Sequence, residues 1–544
     1  ILDSIQLPKK LPPPRDLGDI NLVSTQSLEN DEFVDVFNYS SFNIVESSVF
    51  PTLYKSNDNI LIGCPKGTGK TDMALLAILN HWRQNKGRVL YISTSQGRIN
   101  NILKKWNKML SNIAGGKNIN KLGDDLSSNL KLLAQSHLLL STPQQFDAIS
   151  RNWRKRKNVQ RIELIILDDL DSTGKDSTGY LYENMISRLT FMISQLESNI
   201  RVVGLSSCLP NGRDLGDWIG VEKENVFNYS PGSRLNPVEI HLQSFPNTYH
   251  SVYTSSMLRC AFDKIISKTN GTGSLIYVNS RKYGIEIARK VIDLSRILKW
   301  DMLNIENEQL ESLTKSMVDH QVRENLLNGA GILYAGMNKK DKRIVQNLYE
   351  HGAFSVLLVT KDLCYESPKS DLVTILGTEY FDFKESRYVN YPAADILEML
   401  GNVKSDNQKP GKLLLLTSDN QKSYYKKFMS EPAPIESYMY YFLHDSFINE
   451  INNLVITSKQ DCIDWLTYTY FYRRIHANPS FYGVTDNSAY GISAYLTELV
   501  ETTINDLVTT NIVEVQEAED EESSDIISPL NGCLIASHYN ISFL

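Results

Sequence analysis

A glycine-rich segment joins an apolar run to an amphipathic helical pattern, and its residues are Cys64, Pro65, Lys66, Gly67, Thr68, Gly69, Lys70 and Thr71. In a loop between a strand and a helix, backbone N–H groups and the positive end of the helix bind phosphate oxygens, and glycines allow close approach. The spacing predicts a phosphate-binding loop in which Lys70 reaches the outer phosphates and Thr71 offers its hydroxyl to Mg²⁺. Cys64 is a mild departure, because a smaller residue is expected there.

A second set of reactive side chains follows the apolar run Glu163–Leu167 and reads Asp168-Asp169-Leu170-Asp171. In sites that transfer the terminal phosphoryl group of a nucleotide, one carboxylate at such a strand end holds Mg²⁺ and the next positions the attacking water. We therefore expect Asp168 to share a Mg²⁺ ion with Thr71. Asp169 stands at the position of the carboxylate that orients water. The alternative is an acidic turn after a buried strand, with no chemical role.

Apolar runs that alternate with helical patterns would position these groups, because parallel strands place their carboxyl ends at one edge of a sheet. The strand candidates before about Pro231 are Ile60–Ile62, Arg88–Ile92, His137–Leu140, Glu163–Leu167 and Ile200–Leu205. Those after it are Ser274–Val278, Gly331–Tyr334, Ser355–Val359, Leu372–Leu376 and Leu413–Thr417. From about Glu436 the pattern becomes helical and aromatic-rich. We therefore predict two tandem α/β domains with doubly wound parallel sheets, followed by a winged-helix-like, mostly helical domain.

The predicted domains are 1–235, 236–435 and 436–544, the last with the start of a further helical region. Within the first, residues 1–40 are expected to form an extended lead-in that packs on the first sheet domain. A length of 544 residues is enough for roughly two to four domains. The start at Ile1 and the apolar end at Leu544 suggest a fragment of a longer chain, and no apolar stretch approaches the ~20 residues of a membrane helix.

Charge and cysteine usage limit the possible functions. The net charge of −7 argues against a surface that binds nucleic acid throughout, although a local basic track stays open. The six cysteines include no CxxC pair, and the nine histidines show no metal-like spacing. We therefore expect a reducing compartment and no zinc site.

The loop, the aspartates, Ser206-Ser207-Cys208 and the signatures of the second domain together resemble superfamily-two DExH-box helicases. Longer segments are similar to the carboxy-terminal helicase cassette of the tandem-cassette spliceosomal RNA helicases of the U-five small nuclear ribonucleoprotein: Asn152–Gln160, Lys426–Ser437, Leu443–Ile451 and Asp464–Val484. The resemblance extends from about Leu11 to the end, and the related tandem-cassette helicases that act on ribosomes are the alternative. It implies RecA-like sheet domains, an active amino-terminal helicase cassette in the same chain as partner, further spliceosomal protein partners, and a nuclear location.

Several positions depart from the helicase pattern on the side of the phosphate loop. Asp169 replaces the family's glutamate, Asp171 its histidine, and Cys208 its threonine. Shortening glutamate to aspartate withdraws the carboxylate by roughly 1 Å, and such a misplacement costs about 10²-fold in rate. On our alignment, Glu46 occupies the position of the glutamine that reads adenine.

The second domain departs as well. The stretch Glu398–Ser405 matches a family motif with two arginines, which are replaced here by Asn402 and Ser405. Arginines that reach the γ-phosphate contribute roughly 10³–10⁵ in turnover. Lys404 carries a charge but lacks the planar fork of a guanidinium. We therefore expect no working catalytic residues, with Asp169, Asp171, Asn402 and Ser405 as degenerate positions.

Contacts with nucleic acid also look weakened, since Gln96 replaces an expected lysine and Glu366 would face phosphates with the wrong charge. We interpret the basic run Arg151–Lys157 as a solvated helix end in preference to an RNA site. The aromatic residues are interpreted as core packing in preference to base stacking: Tyr438, Tyr440, Tyr441, Phe442, Tyr468, Tyr470, Phe471 and Tyr472. The acidic run Glu514–Asp525 is interpreted as a solvated loop, with an acidic binding tail as the alternative.

These observations lead to one hypothesis and two alternatives. The hypothesis is a catalytically inactive helicase cassette that regulates the active cassette and serves as a protein-interaction platform, with weak or absent RNA contact. Its nucleotide pocket, residues 64–71 and Glu46, would hold Mg-ATP or Mg-ADP without hydrolysis. The alternatives are an active ATP-dependent RNA helicase and a scaffold that binds no nucleotide.

Overall fold

The computed structural model describes residues 3–7, 20–84, 87–110, 113, 116–196, 199–246, 254–262, 273–382, 386–405, 410–432, 434–516 and 525–542. The strands of these residues are β1 (Asp3–Leu7), β2 (Ile60–Gly63), β3 (Arg88–Ile92), β4 (Ile119–Lys121), β5 (Leu138–Ser141), β6 (Ile162–Leu167), β7 (Arg201–Ser206), β8 (Val226–Asn228), β9 (Val238–Phe245), β10 (Ser274–Val278), β11 (Ala330–Leu333), β12 (Val356–Thr360), β13 (Leu372–Leu376), β14 (Glu379–Asp382), β15 (Arg387–Asn390), β16 (Gly411–Ser418), β17 (Val513–Gln516) and β18 (Ile526–Pro529).

The helices between them are α1 (Asp31–Val34), α2 (Ile44–Phe50), α3 (Lys70–Arg83), α4 (Gln96–Met109), α5 (Leu126–Gln135), α6 (Pro143–Ser150), α7 (Lys157–Gln160), α8 (Asp176–Leu196), α9 (Gly212–Trp218), α10 (254–262), α11 (Arg281–Ile297), α12 (Asn307–Thr314), α13 (His320–Leu327), α14 (Lys339–Glu350), α15 (Ala393–Gly401), α16 (Lys422–Ser430), α17 (Leu443–Asn452), α18 (Lys459–Leu466), α19 (Tyr470–Ala477), α20 (Ala489–Thr509) and α21 (Asn531–Tyr539). Every strand candidate of the sequence corresponds to one of these strands.

The first sheet has the strand order β4-β5-β3-β6-β7-β2-β8, and all of its paired strands are parallel. The register sets Ile92 of β3 opposite Leu167 of β6. Buried apolar side chains fill the central strands, as expected where both faces of a parallel sheet are covered. The carboxyl ends of β2, β3 and β6 therefore lie at one edge, where the phosphate loop and the aspartates begin.

The second sheet has the order β1-β9-β16-β13-β10-β12-β11 and is parallel except for β1, which pairs antiparallel with β9. The prediction that the lead-in packs on the first domain is therefore wrong for residues 3–7, which extend the second sheet. A lone edge strand has no crossover helix to reveal its partner, so its sequence does not show which sheet it joins. The remainder of the Pro-rich lead-in, residues 8–19, lies outside the described residues.

The region after Glu436 is mostly helical, as predicted. Helices α17 to α20 and the antiparallel hairpin β17–β18 enclose a separate apolar core. The hairpin provides the wing of a winged-helix arrangement. Of the acidic run, residues 517–524 lie outside the described residues, while Asp525 forms an ion pair of 3.2 Å with Lys459.

Contacts divide the chain into two compact units. The larger unit comprises Ile20–Gly63, Gly69–Asn228 and Pro434–Leu544, and thus holds both the first sheet and the winged-helix region. The smaller unit comprises Ile1–Asp19, Cys64–Thr68 and Tyr229–Ala433, and holds the second sheet. The expected fold class, two parallel α/β sheets and a helical region, is confirmed, while the exact domain boundaries stay predictions.

Buried ion pairs join the winged-helix region to the first sheet domain inside the larger unit. Arg188 of α8 donates from Nε to Glu450 of α17 at 2.8 Å and from Nη1 to Asp147 of α6 at 2.6 Å. Arg474 of α19 is bonded to Glu436 and to Asp214 of α9. Arg188 and Arg474 therefore each bind one carboxylate of their own region and one of the other region.

Candidate functional site

The phosphate loop has the backbone geometry that its sequence predicts. Gly67 and Gly69 have φ angles of 92° and 94°, in the left-handed region that glycine adopts without strain. Gly69 is the N-cap of α3, so the first N–H groups of that helix lie next to the loop. Lys70 and Thr71 occupy the first helical turn and are half-buried. The nucleotide-binding roles of these residues stay predictions.

Cys64 is accommodated inside the protein. Its side chain is buried, and its sulfur accepts a hydrogen bond from Thr68 Oγ1 at 2.9 Å. The same hydroxyl lies 2.8 Å from the carbonyl oxygen of Pro65. Lys66 is ion-paired with Glu398, a residue of the same compact unit. Side-chain contacts of Cys64, Thr68 and Lys66 therefore hold the loop in addition to its backbone geometry.

Glu46 lies against the phosphate loop, where a Cβ added to Gly69 would collide with its Oε1 atom. Its other oxygen accepts the backbone N–H of Asn43 at 3.0 Å, which completes a capping box at the start of α2. Burial is the main influence that raises the pKa of Glu46 to about 7. A carboxyl group with this pKa is partly protonated near neutrality and then offers a donor as well as an acceptor, as a glutamine does.

Asp168 follows β6 and is buried with both carboxylate oxygens engaged. Tyr91 donates its hydroxyl to Oδ2 at 2.6 Å, and the backbone N–H of Asp169 donates to Oδ1 at 2.9 Å. Burial and the charge of Asp169 raise the pKa of Asp168 above its usual value. Each oxygen that the sequence assigns to Mg²⁺ thus already accepts a hydrogen bond from the protein.

Asp169 adopts the left-handed conformation, with φ of 58°, and turns its carboxylate toward the carboxyl end of β3. Oδ2 accepts a hydrogen bond from Ser93 Oγ at 2.8 Å, and Oδ1 forms an ion pair with the guanidinium of Arg98. Burial opposes its ionisation, but Arg98 and Ser93 outweigh burial and hold the pKa of Asp169 below its usual value. Asp169 is therefore an ionised carboxylate whose charge is balanced inside the protein.

Arg98 contacts the aspartates, and the sequence did not single it out. Its Nη1 atom contacts Asp169 and lies 3.6 Å from Asp168 Oδ2. It occupies the first turn of α4, where the N-cap Ser95 accepts the backbone N–H of Arg98 at 3.3 Å. Because β3 and β6 are neighbours, a residue soon after β3 can reach side chains that follow β6. That adjacency is the signal by which Arg98 could have been found.

The arrangement at Asp168 does not fit a divalent cation. Mg²⁺ takes carboxylate oxygens and waters in near-octahedral geometry at ~2.0–2.1 Å. Here the oxygens of Asp168 accept from Tyr91 and from the backbone, and the guanidinium of Arg98 faces both aspartates. The predicted metal role of Thr71 and Asp168 is untested as binding, but this donor set argues against it. Elsewhere in the described ranges, no group of three or more His, Cys, Asp or Glu residues could hold a metal ion.

Asp171 and the strand end of β7 show a looser contact. Asp171 is half-buried and accepts the backbone N–H of Ser207 at 3.5 Å. The hydroxyl of Ser206 is buried and has no hydrogen-bond partner among the residues that the structure places. The position of the family's histidine thus carries a carboxylate that faces backbone.

In the smaller unit, Asn402 is turned into the domain core. Its Nδ2 atom donates to Tyr277 Oη at 2.8 Å, to the carbonyl oxygen of Cys364 at 2.7 Å and to Ser367 Oγ at 2.9 Å. Ser405 has a buried hydroxyl with no partner in the described part of the chain. Asn402 therefore bonds within the interior of its own domain, Ser405 is half-buried, and Lys404 is exposed.

The positions expected to contact RNA are engaged with protein. Glu366 forms an ion pair with Lys342, and Gln96 accepts from Gln145 at 3.1 Å. These contacts do not measure RNA binding, so the expected weak RNA contact stays a prediction.

The interpretation of Arg151–Lys157 as a solvated helix end is wrong for Arg151, whereas Arg154, Lys155 and Lys157 are exposed as it predicts. Arg151 is buried, pairs with Asp147, and donates to the carbonyl oxygen of Ser537 at 2.5 Å and to Asn540 Oδ1 at 2.8 Å. Arg154 donates to the carbonyl oxygen of Leu454 at 2.8 Å. Arg151 and Arg154 therefore bind the region after Glu436 by donating to backbone and side-chain oxygens there.

The interpretation of the aromatic residues as core holds for part of the set. Tyr470 and Phe471 are fully buried, and Phe442 stacks on Tyr180 with ring centroids 4.5 Å apart. Tyr440 and Tyr441 are 42% and 70% exposed, so the interpretation is wrong for these two. Their helical spacing did not distinguish a buried face from an exposed one.

Two protein-family models match the chain. The DEAD/DEAH box helicase family matches residues 43–215, and a winged helix-turn-helix domain family matches residues 436–517. The first range includes the phosphate loop and the aspartates, and the second covers the helical region with its hairpin. Among the described residues, no helix is long and apolar enough to span a membrane.

Similar proteins span nearly the whole chain. The pre-mRNA-splicing factor brr2 of Schizosaccharomyces pombe is 38% identical over 550 residues, which is 99% of this chain and 25% of that protein. The human U5 small nuclear ribonucleoprotein 200 kDa helicase is 32% identical over 544 residues, 99% of this chain and 25% of that protein. Subunit 3 of the human activating signal cointegrator 1 complex is 33% identical over 544 residues, 98% of this chain and 24% of that protein.

The chain thus spans about a quarter of the length of the curated relatives that it matches. Its two parallel sheets agree with the RecA-like domains that the helicase resemblance implies. The chain therefore contains a DEAD/DEAH box helicase domain at residues 43–215 and a winged helix-turn-helix domain at residues 436–517, and it is a homologue of Brr2-like helicases.

Proposed function

We propose that this chain is a catalytically inactive helicase cassette, the carboxy-terminal one of a pre-mRNA-splicing RNA helicase. In this proposal it regulates an active amino-terminal cassette of the same parent chain and serves as a platform for spliceosomal proteins in the nucleus. The similarity to splicing helicases over 99% of the chain supports this assignment. The similar identity to the signal cointegrator subunit keeps a non-splicing parent as the alternative.

One observation carries the proposal of inactivity: Arg98 is bound to Asp169. A carboxylate that positions a water for attack needs an oxygen directed at that water. Asp169 directs one oxygen to Arg98 and the other to Ser93, and its side chain is one methylene shorter than the family's glutamate. In this proposal Asp169, shortened and directed at Arg98 and Ser93, is poorly placed to position the attacking water.

The second domain supports the same conclusion. A guanidinium at the γ-phosphate contributes roughly 10³–10⁵ to turnover. At the corresponding positions, the Asn402 amide nitrogen has three acceptors inside its own domain, and Ser405 is half-buried with a buried hydroxyl. Neither side chain has a charge to offer. The losses at Asp169 and at these two positions are independent of each other and would multiply.

A bound nucleotide would act as a structural ligand in this proposal. The glycine geometry and the start of α3 are kept, so the loop retains N–H groups for the phosphates of ATP or ADP. A ligand that binds only the folded state stabilises it by about 2.7 kcal/mol at a concentration of 100 Kd. The nucleotide would thereby stiffen the cassette on which partner proteins assemble.

The direct test is phosphate release by the purified chain, with and without RNA, beside the Lys70→Ala variant. We expect no turnover that RNA stimulates and that Lys70→Ala removes. Turnover that meets both criteria would show an active ATP-dependent RNA helicase and refute the proposal. Lys70→Ala is the matched control because it removes the phosphate contact and leaves the aspartates in place.

The nucleotide-free scaffold is the second candidate, and specific contacts favour it. Cys64 and Thr68 bond to each other, Lys66 is paired with Glu398, and Glu46 packs against Gly69. Together these contacts fill space around the loop. Calorimetric titration with ATP and with ADP separates the candidates, because measurable heats require an open phosphate site and flat heats indicate the scaffold.

A further inference from the structure

We infer that this cassette binds nucleoside di- and triphosphates without a divalent cation, because Arg98 supplies in fixed form the positive charge that a metal ion would otherwise bring. The inference rests on the proposed function in one respect, namely that the loop binds a nucleotide. The proposed function concerns hydrolysis, whereas this inference concerns how the affinity for the nucleotide depends on Mg²⁺.

A metal ion at this site would need oxygens of Asp168 as ligands. Asp168 accepts hydrogen bonds at 2.6 Å from Tyr91 and at 2.9 Å from the backbone N–H of Asp169. Asp168 is buried, so neither oxygen can turn to water. A metal ion would have to share oxygens that already accept from buried donors, and any partner that it displaced would be left unsatisfied.

The charges around Asp168 and Asp169 also oppose a metal ion. In a metal-dependent site, two carboxylates and one lysine leave a negative charge that attracts Mg²⁺. Here Arg98 contacts Asp169 and lies 3.6 Å from Asp168 Oδ2. This guanidinium already offsets the carboxylate charge, so a dication would meet a cation where it normally meets only carboxylates.

The guanidinium of Arg98 is in place before any nucleotide binds. The guanidinium of Arg98 is held by α4, whose N-terminus is capped by Ser95, and by the ion pair with Asp169. Arginine cannot lose its charge at physiological pH, and its planar group binds oxygen anions in fixed directions. Phosphates at the start of α3 would therefore find cationic groups in place before binding, with no metal ion to recruit.

The test is equilibrium titration of the purified chain with a fluorescent ADP analogue, in MgCl₂ and in EDTA. We expect the two dissociation constants to agree within about threefold. An affinity at least about tenfold weaker in EDTA would overturn the inference. Absence of binding in both buffers would overturn it as well and would favour the nucleotide-free scaffold.

The variant Arg98→Gln provides the sharper comparison. Removing the guanidinium restores net negative charge at Asp168 and Asp169, so we expect binding to become stronger in MgCl₂ than in EDTA by at least about tenfold. Lys104→Gln, an exposed position of the same helix, is the matched control and should behave as the unsubstituted chain does. An Arg98→Gln variant that binds equally in both buffers would contradict the role of Arg98.

A second measurement needs no variant and therefore still tests the inference if Arg98→Gln folds poorly. Electron paramagnetic resonance of Mn²⁺ in the presence of ADP reports whether the unsubstituted chain immobilises the metal with the nucleotide. We expect the signal of Mn²⁺ that is not bound to protein. An immobilised signal would overturn the inference and leave the absence of hydrolysis standing, whereas RNA-stimulated hydrolysis would refute the proposed function whatever the metal does.

Discussion

Replacing Arg188 by methionine should strongly destabilise the larger unit. The Arg188 guanidinium is buried and donates to Glu450 Oε1 from two nitrogens, at 2.8 and 2.6 Å. It also donates to Asp147 at 2.6 Å. Asp147 would keep Arg151, but Glu450 is fully buried and its other oxygen has no partner in the described part of the chain. The variant therefore leaves one buried carboxylate without a counter-charge.

Removing one partner of a buried ion pair costs about 3–5 kcal/mol. At an unfolding entropy of roughly 2.1 cal/mol/K per residue, each kcal/mol lowers the melting temperature of a unit of this size by about 1.5 °C. We therefore expect Arg188→Met to lower the apparent melting temperature by roughly 4–8 °C in differential scanning calorimetry. Because Arg188 and Glu450 belong to different domains of the unit, the winged-helix region should lose its cooperative unfolding with the first sheet domain.

A double variant shows whether charge is the cause. Arg188→Met combined with Glu450→Met removes one cation and one anion together, and apolar replacement of a buried pair is often close to neutral. We expect it to recover most of the loss. Lys459→Met is the matched control, because the partly exposed pair with Asp525 contributes at most about 1 kcal/mol. The reasoning is refuted if Arg188→Met has the same melting temperature as the unsubstituted chain. It is also refuted if the melting temperature of the double variant is no higher than that of the single variant.

Three further outcomes are expected. Glu183 accepts from Ser437 Oγ at 2.6 Å and from the backbone N–H of Phe471 at 2.8 Å, and burial raises its pKa from 4.5 to about 7. The folded state binds this proton more tightly than the unfolded state does. The stability that this proton contributes is therefore present below pH 4.5 and is lost as the pH rises through 7. Glu183→Gln should flatten the pH dependence of the melting temperature between these two values, and an unchanged slope would contradict this prediction. Asn402→Arg should destabilise the smaller unit by about 1–3 kcal/mol without creating ATPase activity, because the side chain points into the core; a gain of activity would be the contrary result. In mass-spectrometric maleimide labelling, the partly exposed Cys208 and Cys260 should react before the other four cysteines, which are buried, and early labelling of Cys64 would show that the loop opens.

The parts of the site that the sequence predicted are those encoded locally. The left-handed glycines of the phosphate loop and the aspartates after β6 depend on a strand, a turn and a helix within a few residues of each other. Such patterns constrain the backbone directly, so their positions agree with the structure. The strand β9 carries an alternating pattern that could have been recognised, because its buried and half-buried residues alternate over Val238–Leu242.

The parts that were missed depend on partners distant in sequence. Arg98 becomes significant only when β3 and β6 are known to be neighbours. The basic run at Arg151 looked solvated because its acceptors, Ser537 and Asn540, lie almost four hundred residues later in the chain. In both cases the side chain types were visible, while the geometry that pairs them came from the tertiary fold.

The central claim is that the chain cannot split the γ-phosphate because Arg98 and Ser93 hold Asp169. Single-turnover hydrolysis tests it most directly, with the purified chain in excess over γ-labelled ATP, in the presence of RNA and MgCl₂. We predict that the release of labelled phosphate does not exceed that of the Lys70→Ala variant, even after long incubation. One phosphate released per bound nucleotide, in the unsubstituted chain and not in Lys70→Ala, would contradict the claim.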